Sequence, residues 1–269
     1  MCGINGLISN TEMDFPFLVS KMNDCIAHRG PNASGLKQIE NGYLGHMRLS
    51  IIDLSEEANQ PFYDSEHTLV YNGEVYNFEE LRDKYKFECR TNSDTEVIFK
   101  GLKLKGPEFL SELNGMFALA FWSNHSKTLL VARDRIGIKP LYVFKGDNVF
   151  SFSSEIKGLK SIQSELKGFT INHSAVNAFL HLGYIPKPKT IYNEIEKFPQ
   201  GHFGLYKNGQ LDVKPYWSAN SSIEPRIIKD EKKAKVELDE LLKSSIDYRL
   251  KCDVPFGTFL SGGIDSSTV

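Results

Sequence analysis

No apolar run among the 269 residues approaches the roughly 20 that a membrane-spanning helix needs. The N-terminus has no basic segment followed by a long apolar stretch. That argues against a secretory signal and against the apolar leader of a lipid-modified cysteine. There is no basic surplus either: 32 Lys and Arg stand against 34 Asp and Glu, a net charge of −2, so no electrostatic footprint for nucleic acid is present. Cysteine is sparse. Cys2, Cys25, Cys89 and Cys252 lie far apart with no C-x-x-C pair, which excludes the common zinc spacings and fits free thiols in a reducing cytoplasm. The histidines show no metal-ligand spacing, and no internal repeat or low-complexity segment is evident. What remains is an ordinary globular composition, 41% hydrophobic and 25% charged, long enough for one or two domains.

Short strand-like runs dominate the first two thirds: Gly3–Ile8, Tyr43–Ile52, Thr68–Tyr71, Gly115–Trp122, Thr128–Arg133, Pro140–Phe144 and Val149–Ser153. Their close spacing with short turns predicts antiparallel sheets. Helical periodicity marks Phe17–Ala27, Phe78–Lys84, Asp94–Lys103 and Ser174–Leu182. His202–Lys207 should turn back at Asn208-Gly209. Ser218–Ile227 is polar and patternless, the best boundary candidate. Beyond it, Asp230–Leu250 reads as an amphipathic helix capped by Asp230, and Val254–Leu260 as a strand.

Cys2 directly follows Met1, and cysteine is small enough for the Met to be trimmed. The thiol and a free α-amine would then share one carbon. A thiol of pKa about 8.5 needs a base to become a nucleophile, and an α-amine of pKa about 7.7–8.0 can serve. The competing reading is a small apolar residue opening a buried strand.

Three further segments carry chemistry of this kind. Tyr71-Asn72-Gly73-Glu74 is the strongest short hairpin signal, yet such a turn can also aim a Gly N–H and an Asn amide at one developing oxyanion. Arg48, in Gly45–Asp53, is either a solvent-facing strand residue or a bidentate reader of a carboxylate. Ser93 and Glu96 have capping-box spacing, and Asp94 between them either complements the helix dipole or pairs with an ammonium. Arg48 with Glu74 and Asp94 would read a zwitterion, a free α-amino acid. At the far end, Ser261-Gly262-Gly263-Ile264-Asp265-Ser266-Ser267 lacks the Walker lysine; it is a capped Gly-Gly turn or a loop for a phosphate.

Taken in order, Cys2-Gly3-Ile4, His28-Arg29-Gly30-Pro31, Arg48–Asp53, Asn72-Gly73-Glu74, Ser93-Asp94, Gly115–Ala118, Arg133–Tyr142, Ser153–Lys157 and Ser261–Ser267 resemble the glutamine-hydrolysing asparagine synthetases over essentially the whole chain. The resemblance implies an α+β fold: a four-layer αββα N-terminal-nucleophile hydrolase sandwich, followed by the truncated beginning of an α/β domain. It divides the chain into a glutaminase domain (1–217), a linker (218–229) and the first piece of an ATP-dependent synthetase domain (230–269). Cys2 would attack the glutamine side-chain amide, with Asn72 and Gly73 as the oxyanion hole. Arg48 would hold the α-carboxylate, Glu74 and Asp94 the α-ammonium, and backbone of Leu49, Ser50, Ile51 and Ile52 would line the pocket. The glutaminase step would need no cofactor. ATP with Mg²⁺ would activate aspartate, or another carboxylate acceptor, in a longer protein, with Leu260, Ser261, Gly262, Gly263, Asp265 and Ser266 at the nucleotide.

Composition and cysteine usage lead to the expectation of a cytoplasmic protein without nucleic-acid or membrane partners, and leave room for a homodimer. The family usually places Asp after His-Arg-Gly-Pro; this chain has Asn32, one charge fewer near the site. With so little of the ATP domain present, the segment from Val254 is expected to be poorly ordered and to bind ATP weakly. A glutamine-binding module without turnover, or an amidotransferase acting on a β-lactam, modified-sugar or peptide acceptor, are the rival readings.

Overall fold

The computed structural model describes residues 1–222 and 227–268. In chain order it runs β1 (Gly3–Ser9), α1 (Phe15–Cys25), β2 (Ala33–Ile39), β3 (Gly42–Arg48), β4 (Phe62–Tyr63), β5 (His67–Val75), α2 (Phe78–Tyr85) and α3 (Asp94–Lys105). There follow β6 (Gly115–Ser123), β7 (Thr128–Arg133), β8 (Tyr142–Gly146), β9 (Val149–Ser153), α4 (Ile156–Ser161) and α5 (His173–Leu182). The last elements are β10 (Ile195–Lys197), β11 (His202–Lys207), β12 (Gln210–Pro215), α6 (Ala219–Ser222), α7 (Glu231–Arg249) and α8 (Ile264–Thr268).

The strands form two six-stranded sheets, ordered β10-β8-β9-β1-β3-β2 and β12-β11-β7-β6-β5-β4. Neighbouring strands within each sheet are antiparallel, as the short turns predict. Between the sheets lies an apolar layer that includes Ile4, Leu44, Val70, Ala118 and Phe152. On the outer face of the first sheet, α1 and α4 bury Val19, Met22 and Leu159. On the outer face of the second, α2 and α3 bury Leu81, Ile98 and Leu102 against Tyr71 and Phe117. The four layers αββα follow from two sheets that are each apolar on both faces.

Local signals held where they were local. Ser93 caps α3 and Asp230 caps α7 through their side chains, and Asp14, not singled out in the sequence, caps α1 in the same way. The hairpin at Asn208-Gly209 joins β11 to β12. Glu96 departs from the capping box: its carboxylate reaches past Ser93 to the N–H groups of Arg90 and Thr91.

Four expectations change. Asn72 and Gly73 are not in a turn but lie inside β5, opposite Ala118 and Phe117 of β6; nine residues of cross-strand pairing outweigh the dipeptide's turn preference. β3 stops at Arg48 instead of running to Ile52, because the Arg48 carbonyl accepts the Asn32 N–H (3.0 Å) and the chain turns away. Val254–Leu260 forms no strand, since no neighbour among the described residues offers it a ladder; Leu260 is 71% exposed. Ala219–Ser222, expected to be patternless, is one helical turn, and the rest of that candidate boundary at 223–226 lies outside the described residues. Among the described residues no helix is long and apolar enough to cross a membrane.

Candidate active site

A cavity of about 300 Å³ opens where the N-terminal ends of β1 and the C-terminal ends of β3 and β5 meet. Cys2, Arg48, Leu49, Ile51, Ile52, Asn72, Gly73, Glu74 and Asp94 all line it. These residues come from widely separated parts of the sequence; Cys2, Arg48, Asn72, Gly73, Glu74 and Asp94 were named there on their chemistry, and Leu49, Ile51 and Ile52 through the resemblance. Ser50 does not line it: its N–H is turned to Asn32 Oδ1 at 3.0 Å, a correction to the expected Leu49–Ile52 wall. Asn32 makes this contact through its neutral amide oxygen.

Cys2 precedes β1, one residue beyond the Gly3–Met47 pair. Its sulfur accepts the Leu49 N–H at 3.3 Å and lies 3.5 Å from the Leu49 carbonyl oxygen. Burial pushes the thiol up from its ordinary pKa, and the Leu49 N–H works against that. The Arg29 guanidinium donates to the Cys2 carbonyl at 2.9 Å and is itself held by Glu155 at 3.0 Å. Gly30 lets its loop close on β3, since a Cβ there would sit 2.3 Å from the Met47 oxygen.

The edge of β5 explains how Asn72 and Gly73 act without a turn. β4 pairs only with Thr68 and Leu69, so the rest of that edge has no strand beside it. Tyr71 N–H donates there to Gln60 Oε1 at 2.6 Å, and Val75 N–H to Asp94 Oδ2 at 2.9 Å. Alternation puts the Gly73 N–H on the same edge, between them. The other side agrees: Phe117, opposite Gly73, spends its N–H and its C=O on Asp134, so the two residues are a non-hydrogen-bonded pair. The Asn72 side chain is fully buried, and neither its Nδ2 nor its Oδ1 has a partner among the described residues. Two N–H donors with no acceptor thus face one cavity, next to a thiol. Gly73 cannot be larger: a Cβ would meet the Met116 oxygen at 2.1 Å.

Arg48 is held by a crown of oxygens. Nη1 donates to Ser55 O (2.6 Å) and Asn59 Oδ1 (2.7 Å), and Nη2 to Asp53 O. Of its five N–H groups, Nε–H and one on Nη2 are left for a ligand. Asp94 is only 5% exposed and accepts from the Tyr71 hydroxyl at 2.8 Å as well as from Val75 N–H. Burial raises its carboxyl to about 6, the two hydrogen bonds opposing. Glu74 is also pushed up by burial, with Lys139 and the terminal amine pulling it back.

Sequence reasoning missed several wall residues. Gln60 ties β5 to α3 through Tyr71 N–H and Thr95 Oγ1. Behind the wall, and not lining it, His46 sends Nε2–H across the gap between the sheets to the Tyr71 carbonyl at 3.1 Å; complete burial lowers it to about 3, so the ring is neutral. Lys139 and Ile138 also reach the cavity. Ile138 and Lys139 lie in the Arg133–Tyr142 motif, which carried no site role in the sequence reading, and Gln60 has no local signature. Leu260 and Ser261–Asp265 do not line this cavity and are exposed, Ser266 is half-buried, and Ser261 Oγ and Ser266 Oγ are 2.9 Å apart. The described residues contain no His, Cys, Asp and Glu group suited to a metal ion.

Residues 1–217 match the family described as glutamine amidotransferase domain, and residues 237–269 match asparagine synthase. A Methanocaldococcus jannaschii protein provisionally named as a glutamine-hydrolysing asparagine synthetase is 37% identical, covering 100% of this chain and 56% of the relative. Glutamine-hydrolysing asparagine synthetase 1 of Bacillus subtilis is 34% identical over 100% of the chain and 43% of its own length. The amidase chry2 of Gibberella zeae is 34% identical over 100% and 42%. The chain therefore spans about half the length of the curated relatives it matches. Among solved structures, glutamine phosphoribosylpyrophosphate amidotransferase from B. subtilis shares the fold, with a TM-score of 0.60 at 17% identity over 80% of this chain and 49% of that one.

Proposed function

The chain belongs to the glutamine amidotransferase domain family over residues 1–217, with the start of an asparagine synthase domain after it, and from that premise we propose that it hydrolyses L-glutamine at Cys2 to glutamate and ammonia. The observation that carries the proposal is the fully buried, unpartnered amide of Asn72 sharing one cavity with the Cys2 thiol, Arg48 and Asp94.

In this reading Met1 is removed and the freed α-amine of Cys2 takes the thiol proton. The sulfur bonds to the side-chain amide carbon of glutamine, whose oxygen gains negative charge and is met by Asn72 Nδ2–H and Gly73 N–H. The C–N bond then breaks and the nitrogen leaves with the amine's proton as ammonia. Water attacks the resulting thioester, the amine accepts its proton, and the C–S bond breaks with that proton passing to sulfur. Glutamate and free Cys2 result. Arg48 binds the α-carboxylate through its two spare N–H groups, and Asp94 and Glu74 bind the α-ammonium, which fixes the amide over sulfur.

For the longer protein we propose that the ammonia is transferred to an ATP-activated carboxylate. The glycine N–H groups and serine hydroxyls of Ser261–Ser266 suit phosphate oxygens, with Mg²⁺ and ATP as the remaining components. Among the described residues no second wall faces that loop, so this chain should bind ATP weakly. Aspartate is the acceptor suggested by the synthetase relatives, and a different acceptor by the amidase relative.

Glutamate release by the Met-free chain, compared with Cys2→Ala and with chain retaining Met1, tests the reading. The proposal requires activity in the first alone. Equal rates in the Met-free chain and Cys2→Ala would refute it, and saturable glutamine binding without turnover would assign the cavity to a binding module.

A further inference from the structure

The run from Arg133 to Lys139 has no part in the roles assigned so far, yet it is firmly built. Asp134, 1% exposed, gathers the N–H groups of Ile136 (3.2 Å), Gly137 (2.6 Å) and Ile138 (2.9 Å) on one oxygen. Its other oxygen takes those of Phe117 (3.2 Å) and Lys139 (2.9 Å). Arg133 closes the loop from the carbonyl side, with Nε to Lys139 O and Nη2 to Gly137 O, both at 2.8 Å. Gly137 sits at φ +78°, where a side chain would be strained. Lys139 is therefore held at both its N–H and its C=O, which fixes where its side chain leaves the backbone.

That side chain enters the cavity of Cys2. Lys139 is only 3% exposed, and its Nζ donates to Met1 Sδ at 2.9 Å, a weak acceptor. Among the described residues no carboxylate oxygen lies within ion-pair distance of it. Arg29, the other cation at the N-terminus, is compensated by Glu155 at 3.0 Å. Lys139 thus keeps its charge free of a direct ion pair, with Glu74 of the same cavity as the carboxylate that acts on it most. Removing Met1 would take away its sulfur partner and place the new amine at the former Met1–Cys2 peptide nitrogen.

We propose that Lys139 keeps the mature Cys2 α-amine unprotonated near neutral pH, its ammonium opposing a second positive charge in the same cavity, so that the amine is free to accept the thiol proton. The proposal rests on the glutaminase reading. The groups acting on the amine of residue 1 are Cys2, Arg29, Lys139 and Glu74. Burial lowers that amine most; Arg29 and Lys139 lower it further, and Cys2 and Glu74 raise it. Arg48 and Asp94 act on the thiol beside it. Lys139 itself is lowered by burial and by Arg29, while Glu74, Cys2 and Asp134 favour its charged form. Because Lys139 acts through the amine, it is a positioning residue and not a catalytic one.

The test is the pH profile of kcat at saturating glutamine in Met-free chain, for wild type, Lys139→Met and Lys139→Arg. Without the cation the amine holds its proton to higher pH. The acid limb of Lys139→Met should therefore move up by about one unit, roughly a tenfold loss of rate on that limb, with the alkaline plateau and KM little changed. Lys139→Arg should keep the wild-type limb. If Lys139→Met fails to fold, Lys139→Gln is read in the same way. An unmoved limb in the neutral variant, or an equal displacement in Lys139→Arg, would overturn the inference. Cys2→Ala separates the two failures: activity surviving in it sinks the glutaminase reading, whereas an inactive Cys2→Ala with an unmoved Lys139→Met profile sinks only the role of Lys139.

Discussion

The Tyr71 hydroxyl donates to Asp94 at 2.8 Å from the face of β5 opposite to Asn72. One strand therefore braces Asp94 from one face and presents Asn72 and Glu74 on the other. Asp94 must be ionised to attract an ammonium, and its carboxyl is raised to about 6 by burial. Below that pH it is protonated in the free protein, so kcat/KM for glutamine should fall about tenfold per pH unit. A rise in KM, with kcat less affected, is the expected origin of the fall. Tyr71→Phe removes a bond that favours the carboxylate, so its limb should lie at higher pH than that of wild type. Initial rates at fixed glutamine across pH, repeated at saturation, check both statements.

Asn72→Ala deletes the side-chain donor while the strand pairing of β5 with β6, which uses backbone only, remains. If the amide meets charge only in the transition state, kcat should drop by about 10²–10³ and KM by little. Single-turnover glutamate release measures the first, and glutamine-dependent protection against heating measures the second. A parallel rise in KM would place Asn72 with the ground-state ligands instead.

Gly73→Ala acts differently, because the obstruction is backbone. The added Cβ would lie 2.1 Å from the Met116 oxygen and 2.8 Å from the Phe117 Cα, and neither can move without parting β5 from β6. A destabilisation of about 1–3 kcal/mol is expected, with loss of activity, against near-wild-type stability for Asn72→Ala. Denaturant midpoints compare the two.

Cys2, Arg48 and Asp94 were legible because each carries its chemistry in its own side chain and needs only to arrive. Asn72-Gly73 was legible in place, beside Cys2, but not in form. The dipeptide signals a turn locally, whereas pairing with Ala118 and Phe117 depends on residues more than forty positions away. Ser50 was assigned to the wall with its neighbours, but the Asn32 side chain, fixed by another loop, draws its peptide away. Lys139 lay in the Arg133–Tyr142 motif but was given no site role, and Gln60 had no signal, since their direction is set by Asp134, Arg133 and Thr95 in contacts that no spacing rule describes. Val254–Leu260 has the residues of a strand but no neighbour to make it one, whereas the caps at Ser93 and Asp230 need only the next few residues and came out as read.

Asp253 offers a test of how the C-terminal segment bears on the cavity. Its carboxylate accepts the Asp53 N–H at 2.7 Å, and its own N–H donates to the Ile51 carbonyl at 2.9 Å, so it grips the rim loop at two points. That loop also seats Arg48, whose Nη2 donates to the Asp53 carbonyl and whose Nη1 donates to Ser55 O. Nearby, Lys251 pairs with Glu79 and the Tyr248 hydroxyl donates to Glu80, which holds the end of α7 on α2. Loosening the rim should cost the carboxylate ligand its fixed guanidinium while leaving sulfur and Asn72 in place. Asp253→Ala should therefore raise KM for glutamine about two- to fivefold at unchanged kcat, in keeping with one exposed hydrogen bond. Asp253→Asn retains an acceptor oxygen and should stay close to wild type. If both variants match wild type, the segment merely rests on the rim. If Asp253→Ala lowers kcat instead, the loop reaches the reacting sulfur through the Leu49 N–H that donates to it.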